Sequence, residues 1–433
     1  MTISRRSLIK WGAGVAAGTG LQPRLFAQEL KPGKPYAGTT LSVLTVVAPQ
    51  FKGHEALLPE FEQLTGIKVK YDYVPFANTR DKLTAEMVAK SGSYDVVSVM
   101  DVWGPSLTGL IQPINDRLAA KKIDMEDRYP AAHLRAAKSG ANVLGLPIRG
   151  HVQLLFYRRD IFDQLGLKVP ATWQQVVETS KVIQSRTDMA GIAMYYKKNA
   201  GQNLMIWYNF LWGKGADILD AKGMPTFNSA AGVEATQDYL DLMLKHKVTP
   251  AGSVAFDEND ATISVAQGRS AMIPVWWWRL QQLRGKDAKI SGDQVAFAPL
   301  PSYPGANSTT YTNTWFYGLN KFSKKHDAGM EFLAWLTQPK IERSLLVDPS
   351  KNEIVAVQRA NLIDRDVNAV SNGLHRFGAL GLQGARGVPL IAEWPQISDI
   401  LETTMSELAS GKGQVKGALD DAAGRVRKLM RRA

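Results

Sequence analysis

The sequence predicts an α/β fold, and three adjacent signals carry that reading. Leu41 to Val47 is a short, β-branched, uncharged run of the kind that forms a buried strand. Leu57, Phe61 and Leu64 recur at helical spacing within Glu55 to Thr65, and Gly66 stands where a helix cap belongs. Ile67 to Tyr73 then alternates polar and apolar residues with period two, the mark of a half-buried strand. Asn78 to Lys90 continues as a second helix and Tyr94 to Met100 as a third strand. This strand–helix alternation implies a parallel sheet with right-handed crossovers.

A second α/β region starts near Gly150. Val152 to Tyr157 is strand-like, and Thr172 to Ile183 reads as a helix opened by a capping box of Thr172 and Gln175. Ile192 to Tyr196 is strand-like. Asn228 to Leu244 is a long helix with Leu240, Met243 and Leu244 on one face, Ala261 to Gln267 a shorter helix, and Ser270 to Val275 a strand. The remainder reads as mostly helical. Gly329, Phe332, Leu333 and Leu336 share one stripe, and Pro395 to Ser410 and Gln414 to Arg431 form closing helices.

The 433 residues are 45% apolar and 21% charged, which excludes wholesale disorder and fibrous architectures. With no cysteine, the chain has no disulfide, thiolate metal site or cysteine nucleophile. Arg5-Arg6-Ser7-Leu8-Ile9-Lys10, a short Gly/Ala-rich stretch and Ala27 before Gln28 make a signal-peptide pattern that resembles a twin-arginine export signal. Cleavage after Ala27 would remove four basic residues and no acid, taking the formal net charge from +12 to +8. No segment reaches the run of about 20 apolar residues that a spanning helix needs. The expectation is an exported, periplasmic protein, with residues 1–27 as signal and 28–38 as a polar linker.

Catalytic constellations are scarce. The six histidines are scattered, without metal-ligand spacing, and no P-loop, dinucleotide fingerprint or Gly-x-Ser-x-Gly elbow occurs. No metal or cofactor is expected. Asp257, Glu258 and Asp260 precede a helix, where negative charge complements the helix dipole. Carboxylates paired for glycoside hydrolysis stay open as an alternative, since sequence gives no distances. Basic residues are spread along the chain, and the dense run Arg425 to Arg432 fits the exposed end of a closing helix. Nucleic acid is therefore not the expected ligand.

Tryptophans gather where predicted strands end. Asp101-Val102-Trp103 follows one strand, and Trp276-Trp277-Trp278-Arg279 follows another. Asn313 and Trp315 lie in a third apolar stretch, and Trp207, Asn209 and Trp212 in a glycine-bounded segment. Ligands of open α/β sheets bind beyond the carboxyl ends of strands. Flat rings among polar groups suit a sugar, which has an apolar CH face and an edge of hydroxyls. A lone tryptophan is more often a core residue. Three in a row cannot all face one core, because strand alternation sends neighbours to opposite sides.

A series of motifs in chain order resembles the extracellular solute-binding proteins of the family 1 type, the maltose-binding-protein-like carbohydrate components of ABC importers. They are Leu58 to Val69, Tyr94 to Val97, Gly145-Leu146-Pro147, Leu155 to Phe162, Val169 to Trp173, Gln267 to Met272 and Ala328 to Thr337. The resemblance implies a two-lobe periplasmic binding protein fold of type II. Each lobe is expected to be a mainly parallel sheet flanked by helices, with a hinge between lobes. The N-lobe is expected at 39–149 plus 299–350 and the C-lobe at 150–298 plus 351–433.

The same resemblance implies a monomer that traps a sugar and delivers it to a membrane permease. Gln50, Asp101 and Trp103 fall in its sugar-contacting loops, and His151 falls where the family has a contacting carboxylate. Gln202 and Asn203 lie near another contacting set. Trp278 aligns with a stacking tryptophan, Trp276 is its alternative, and Trp394 is a candidate late platform. Arg149, His151 and Arg279 leave room for an acidic or phosphorylated sugar or polyol. Two alternatives stand beside this reading: a binder of a non-sugar solute (a sugar phosphate, polyamine or iron chelate) and an exported glycoside hydrolase.

Overall fold

The computed structural model describes residues 30–348, 350 and 354–431. The expected signal segment, residues 1–27, lies outside them, as does Arg432. The first sheet is built from β1 (Thr40–Val46), β2 (Lys68–Val74), β3 (Val96–Met100) and the short β4 (Ile111–Gln112). It also takes β5 (Leu146–Gly150). The second contains β6 (Gln153–Arg158), β7 (Ala190–Ile192), β8 (Ser270–Trp276) and β9 (Val295–Ala298). A two-residue strand β10 (Thr310–Tyr311) precedes β11 (Thr314–Asn320), which returns to the first sheet. β10 pairs in parallel with β12 (Ala385–Arg386).

In the first sheet the order is β2-β1-β3-β11-β4, with β5 also on β11. β1, β2 and β3 run parallel as expected, whereas β11 is antiparallel to β3, β4 and β5. The second sheet has the order β9-β6-β8-β7, and β6 is antiparallel to both its neighbours. Both sheets are thus mixed rather than mainly parallel. The cause is topological: β6 and β11 are the strands on which the chain has just crossed from one sheet to the other, so they enter against the local direction.

The first crossover is two helices, Pro49–Ala56 and Leu58–Thr65, broken at Leu57 ahead of Pro59. Proline suits a first helical turn, so a new helix starts where one continuous helix was expected. Gly66 closes the second helix at φ 72°, the left-handed cap expected of it. Thr172 and Gln175 form the expected reciprocal capping box on Trp173–Arg186. Asp257 and Asp260 form another on Glu258–Ala266. The strand expected over 192–196 ends at Ile192, and the chain continues irregularly but fully buried. The closing helices Trp394–Ala409 and Val415–Met430 lie close to expectation. Among the described residues no helix is long and apolar enough to cross a membrane.

Beyond residue 353 the chain first packs on the first lobe. Ile354 lies against Gly53, and the Val357 carbonyl meets His133 Nδ1 at 3.0 Å. Glu342 accepts from the Val357 and Gln358 N–H groups at 2.8 and 3.4 Å. Only later, at the helix Leu374–Gln383, does the chain reach the second lobe, where Gly378 lies under Trp277.

Candidate functional site where the two sheets meet

Strand directions bring one end of each sheet together. Trp315, near the start of β11, sits opposite Met100 at the end of β3 and Arg149 near the end of β5. Two residues after β5 the chain enters β6, whose first residue Gln153 pairs with Trp276, the last of β8. The segment 150–153 crosses beside 310–314. His151 N–H donates to the Asn313 carbonyl at 2.9 Å, and Thr312 Oγ1 donates to the His151 carbonyl at 2.7 Å. Thr310 Oγ1 accepts from Gln153 N–H at 2.9 Å. Two hydrogen-bonded segments therefore span the lobes at the very ends where ligands of α/β sheets bind.

The first lobe contributes aromatic faces and a buried acid. Trp103 and Trp315 meet edge-on with centroids 5.1 Å apart, and Phe76 lies 5.5 Å from Trp103. Asp101 accepts from the Val102 N–H at 2.8 Å. Burial pushes its carboxyl up to about 7, with the nearby Arg135 charge and the backbone bonds from Val102 and Thr314 opposing.

The second lobe contributes Trp276, 5.5 Å from His151 and 5.4 Å from Tyr311, and Trp278, 6.2 Å from His151. The middle tryptophan of the triplet turns away. Trp277 is fully buried, packs 5.6 Å from His375 and donates its indole N–H to the Gly150 carbonyl at 3.2 Å. Trp276 ends β8, and Trp277 and Trp278 begin a tight helical turn, so the outer two rings meet His151 and the middle one packs inward. Arg279 and Arg149 approach the Trp278 ring at 4.4 and 5.5 Å from its centroid. Arg279 Nε donates to Glu258 Oε1 at 2.7 Å.

Between these walls lie buried polar atoms with no hydrogen-bond partner: His151 Nδ1, Gln153 Nε2, Asn313 Oδ1, Thr314 Oγ1 and the Tyr195 hydroxyl. Buried polar groups are normally bonded. Their concentration beside flat rings is an arrangement fitted to a ligand rich in hydroxyls.

Of the residues expected at the site, the meeting of the sheets gathers Asp101, Trp103, Arg149, His151, Trp276, Trp278, Arg279, Asn313 and Trp315. Others are engaged elsewhere. Gln50 is buried, with Nε2 3.4 Å from His54 and Oε1 accepting from Val355. Asn203 donates to the Tyr196 and Glu402 carbonyls. Trp207 is fully buried and its N–H donates to Thr236 Oγ1 at 2.9 Å, so it packs the second lobe. Gln202 accepts from the Glu258 N–H, holding the start of the helix that carries Arg279's partner. Trp394 lies 6.4 Å from Tyr208, which in turn packs on Tyr311.

Sequence reasoning missed Tyr311, Gln153 and Arg135. For Tyr311 a signal existed: positions 311, 313 and 315 share one face of an extended segment. Glu258, read as helix-end charge, is buried and ion-paired, while Asp257 does the capping. Among the described residues no cluster of His, Asp and Glu could hold a metal.

A family model for bacterial extracellular solute-binding proteins matches residues 48–342, more than half of the chain. A probable amino-acid ABC transporter periplasmic-binding protein from Sinorhizobium fredii is 26% identical over 427 residues, covering 94% of each chain. The erythritol/L-threitol-binding protein of Mycolicibacterium smegmatis is 23% identical, covering 73% of this chain and 72% of that one. An ABC transporter solute-binding protein from Agrobacterium radiobacter, solved in complex with ribitol, superposes with a TM-score of 0.78 at 25% identity. It matches 91% of this chain and 100% of that one. The two-lobe fold and the family match agree, and this chain belongs to the bacterial extracellular solute-binding protein family.

Proposed function

We propose that the protein is the periplasmic capture component of an ABC importer, and that it holds a sugar or polyol between its lobes. The observation that carries this is the set of unpartnered buried polar atoms on His151, Gln153, Asn313 and Thr314 beside Trp276, Trp278 and Trp315. Indole faces take the apolar side of a carbon chain, and the polar atoms take its hydroxyls. The relatives described as binding ribitol and erythritol or L-threitol support a polyol in particular. The lobes divide at the two crossing segments 150–153 and 310–314 and at a third connection between residues 357 and 374. Export through the N-terminal signal, cleavage after Ala27, action as a monomer, docking on a permease and absence of turnover complete the proposal.

The test is a thermal-shift panel of the mature protein against polyols, mono- and oligosaccharides, sugar acids and amino acids. At about a hundredfold excess over its dissociation constant, a ligand stabilises the fold by roughly 2.7 kcal/mol. A shift confined to polyols or sugars, with the ligand recovered intact, is the expected result. A shift with amino acids alone, or turnover of a glycoside, contradicts the proposal.

A further inference from the structure

We infer that the polyhydroxylated solute carries a negatively charged end group, a carboxylate or phosphate, held by Arg149. This deepens the proposed function and rests on it.

Arg149 comes from β5 of the first lobe but its guanidinium lies 5.5 Å from the ring of Trp278 in the second. The pairing of β5 with β11 slips at this point, Trp315 opposing Arg149 while Phe316 opposes Pro147, and such bulges re-aim side chains. Among the described residues no hydrogen bond or ion pair holds this guanidinium. The nearest acid, Glu258, is committed to Arg279 at 2.7 Å. Desolvation pulls Arg149 down to about 10, and the Arg279 charge pushes the same way. The side chain stays partly exposed, and its planar fork, unmatched by any acid of its own, fits a carboxylate or phosphate.

The charge balance points the same way. Of the two guanidinium groups beside Trp278, Arg279 is paired with Glu258 and Arg149 is not. The unpartnered atoms nearest this corner, His151 Nδ1 and the Tyr195 hydroxyl, are buried and free to meet further ligand oxygens. His151 is held neutral by burial and by the Arg149 charge, so it adds no competing cation. A neutral polyol would satisfy the hydroxyl-seeking atoms and leave Arg149 unmatched.

The experiment is isothermal titration of the full mature chain with matched pairs: ribonate and ribitol, mannonate and mannitol, gluconate and glucitol, together with the terminal phosphates of the same polyols. The expected result is at least tenfold tighter binding of one acid or phosphate than of its neutral partner. That advantage should shrink with added salt and vanish in Arg149→Met. The carboxylate and phosphate arms separate the two anions. Arg149→Lys, which keeps charge without the fork, is expected to recover only part of the preference and guards against a folding failure of the first variant. Equal or tighter binding of the neutral partners overturns the inference while the proposed function stands. Silence from all polyhydroxylated compounds overturns the proposed function itself.

Discussion

Trp277 turns its ring into the second lobe against Gly378, whereas Trp278, one residue on, stays partly exposed between two guanidinium groups. Truncating them should have opposite signatures. Trp277→Ala is expected to cost ~3–5 kcal/mol of stability, the usual range for a buried large ring. Trp278→Ala should cost about 1 kcal/mol or less, in line with a partly exposed site, and instead weaken solute binding. Urea unfolding of both variants checks the contrast. Asp101 gives a pH-dependent counterpart. Its carboxyl titrates near 3.8 when free and near 7 in the fold, so the folded protein keeps a proton that the unfolded chain releases. Stability from this group is present below pH 4 and is lost as pH rises to 7, at about 1 kcal/mol per pH unit. Asp101→Asn removes that loss. The variant should therefore gain on the wild type between pH 5 and pH 7, measured by denaturant titration at both. A difference that does not grow with pH contradicts the burial of this carboxyl.

The crossing segment between the sheets is the element on which site geometry depends, and Gly150 is its tightest point. A Cβ there would lie 2.2 Å from His133 Nε2, and His133 is itself fixed by its 3.0 Å contact with the Val357 carbonyl. Gly150→Ala is expected to destabilise the protein by ~1–3 kcal/mol through overpacking. Adding His133→Ala should return part of that loss, since contacting sites are coupled; a purely additive pair of losses would show that the clash is not the cause. At this scale much was legible in the sequence. Residues 40–100 follow the alternation of Leu41 to Met100, and Gly66 and Thr172 cap the helices they were expected to cap. Strand β11 was not legible as a first-sheet strand. All seven of its residues are buried, so Thr314 to Asn320 has no alternation to reveal a face, and its partners β3 and β5 are far away in sequence. The candidate site was legible in part for the same reason. Runs such as Asp101 to Trp103 and Trp276 to Arg279 mark strand ends locally, whereas Gln153 and Tyr311 qualify only once strand pairing joins distant segments. Gln50 and Trp207 show the converse: residue type and approximate position fitted a sugar site, and packing used them elsewhere.

Across the whole molecule, two crossing segments bonded to each other and a third connection near 357–374 form the joint between lobes. Solute held between the lobes should bring them together by rotation at such a joint. Solution scattering is expected to show a smaller radius of gyration with saturating solute than without. An unchanged radius would mean that the site is preformed and the lobes rigid. The most direct test of a solute site at the meeting of the two sheets is isothermal titration of a ligand found in the panel, with wild type, Trp278→Ala and Gln50→Ala. At least tenfold weaker binding in Trp278→Ala, a loss of about 1.4 kcal/mol, with Gln50→Ala close to wild type, is the expected result. Undiminished binding in Trp278→Ala, with the loss falling on Gln50→Ala, would move the solute off the crossing segments and contradict the site.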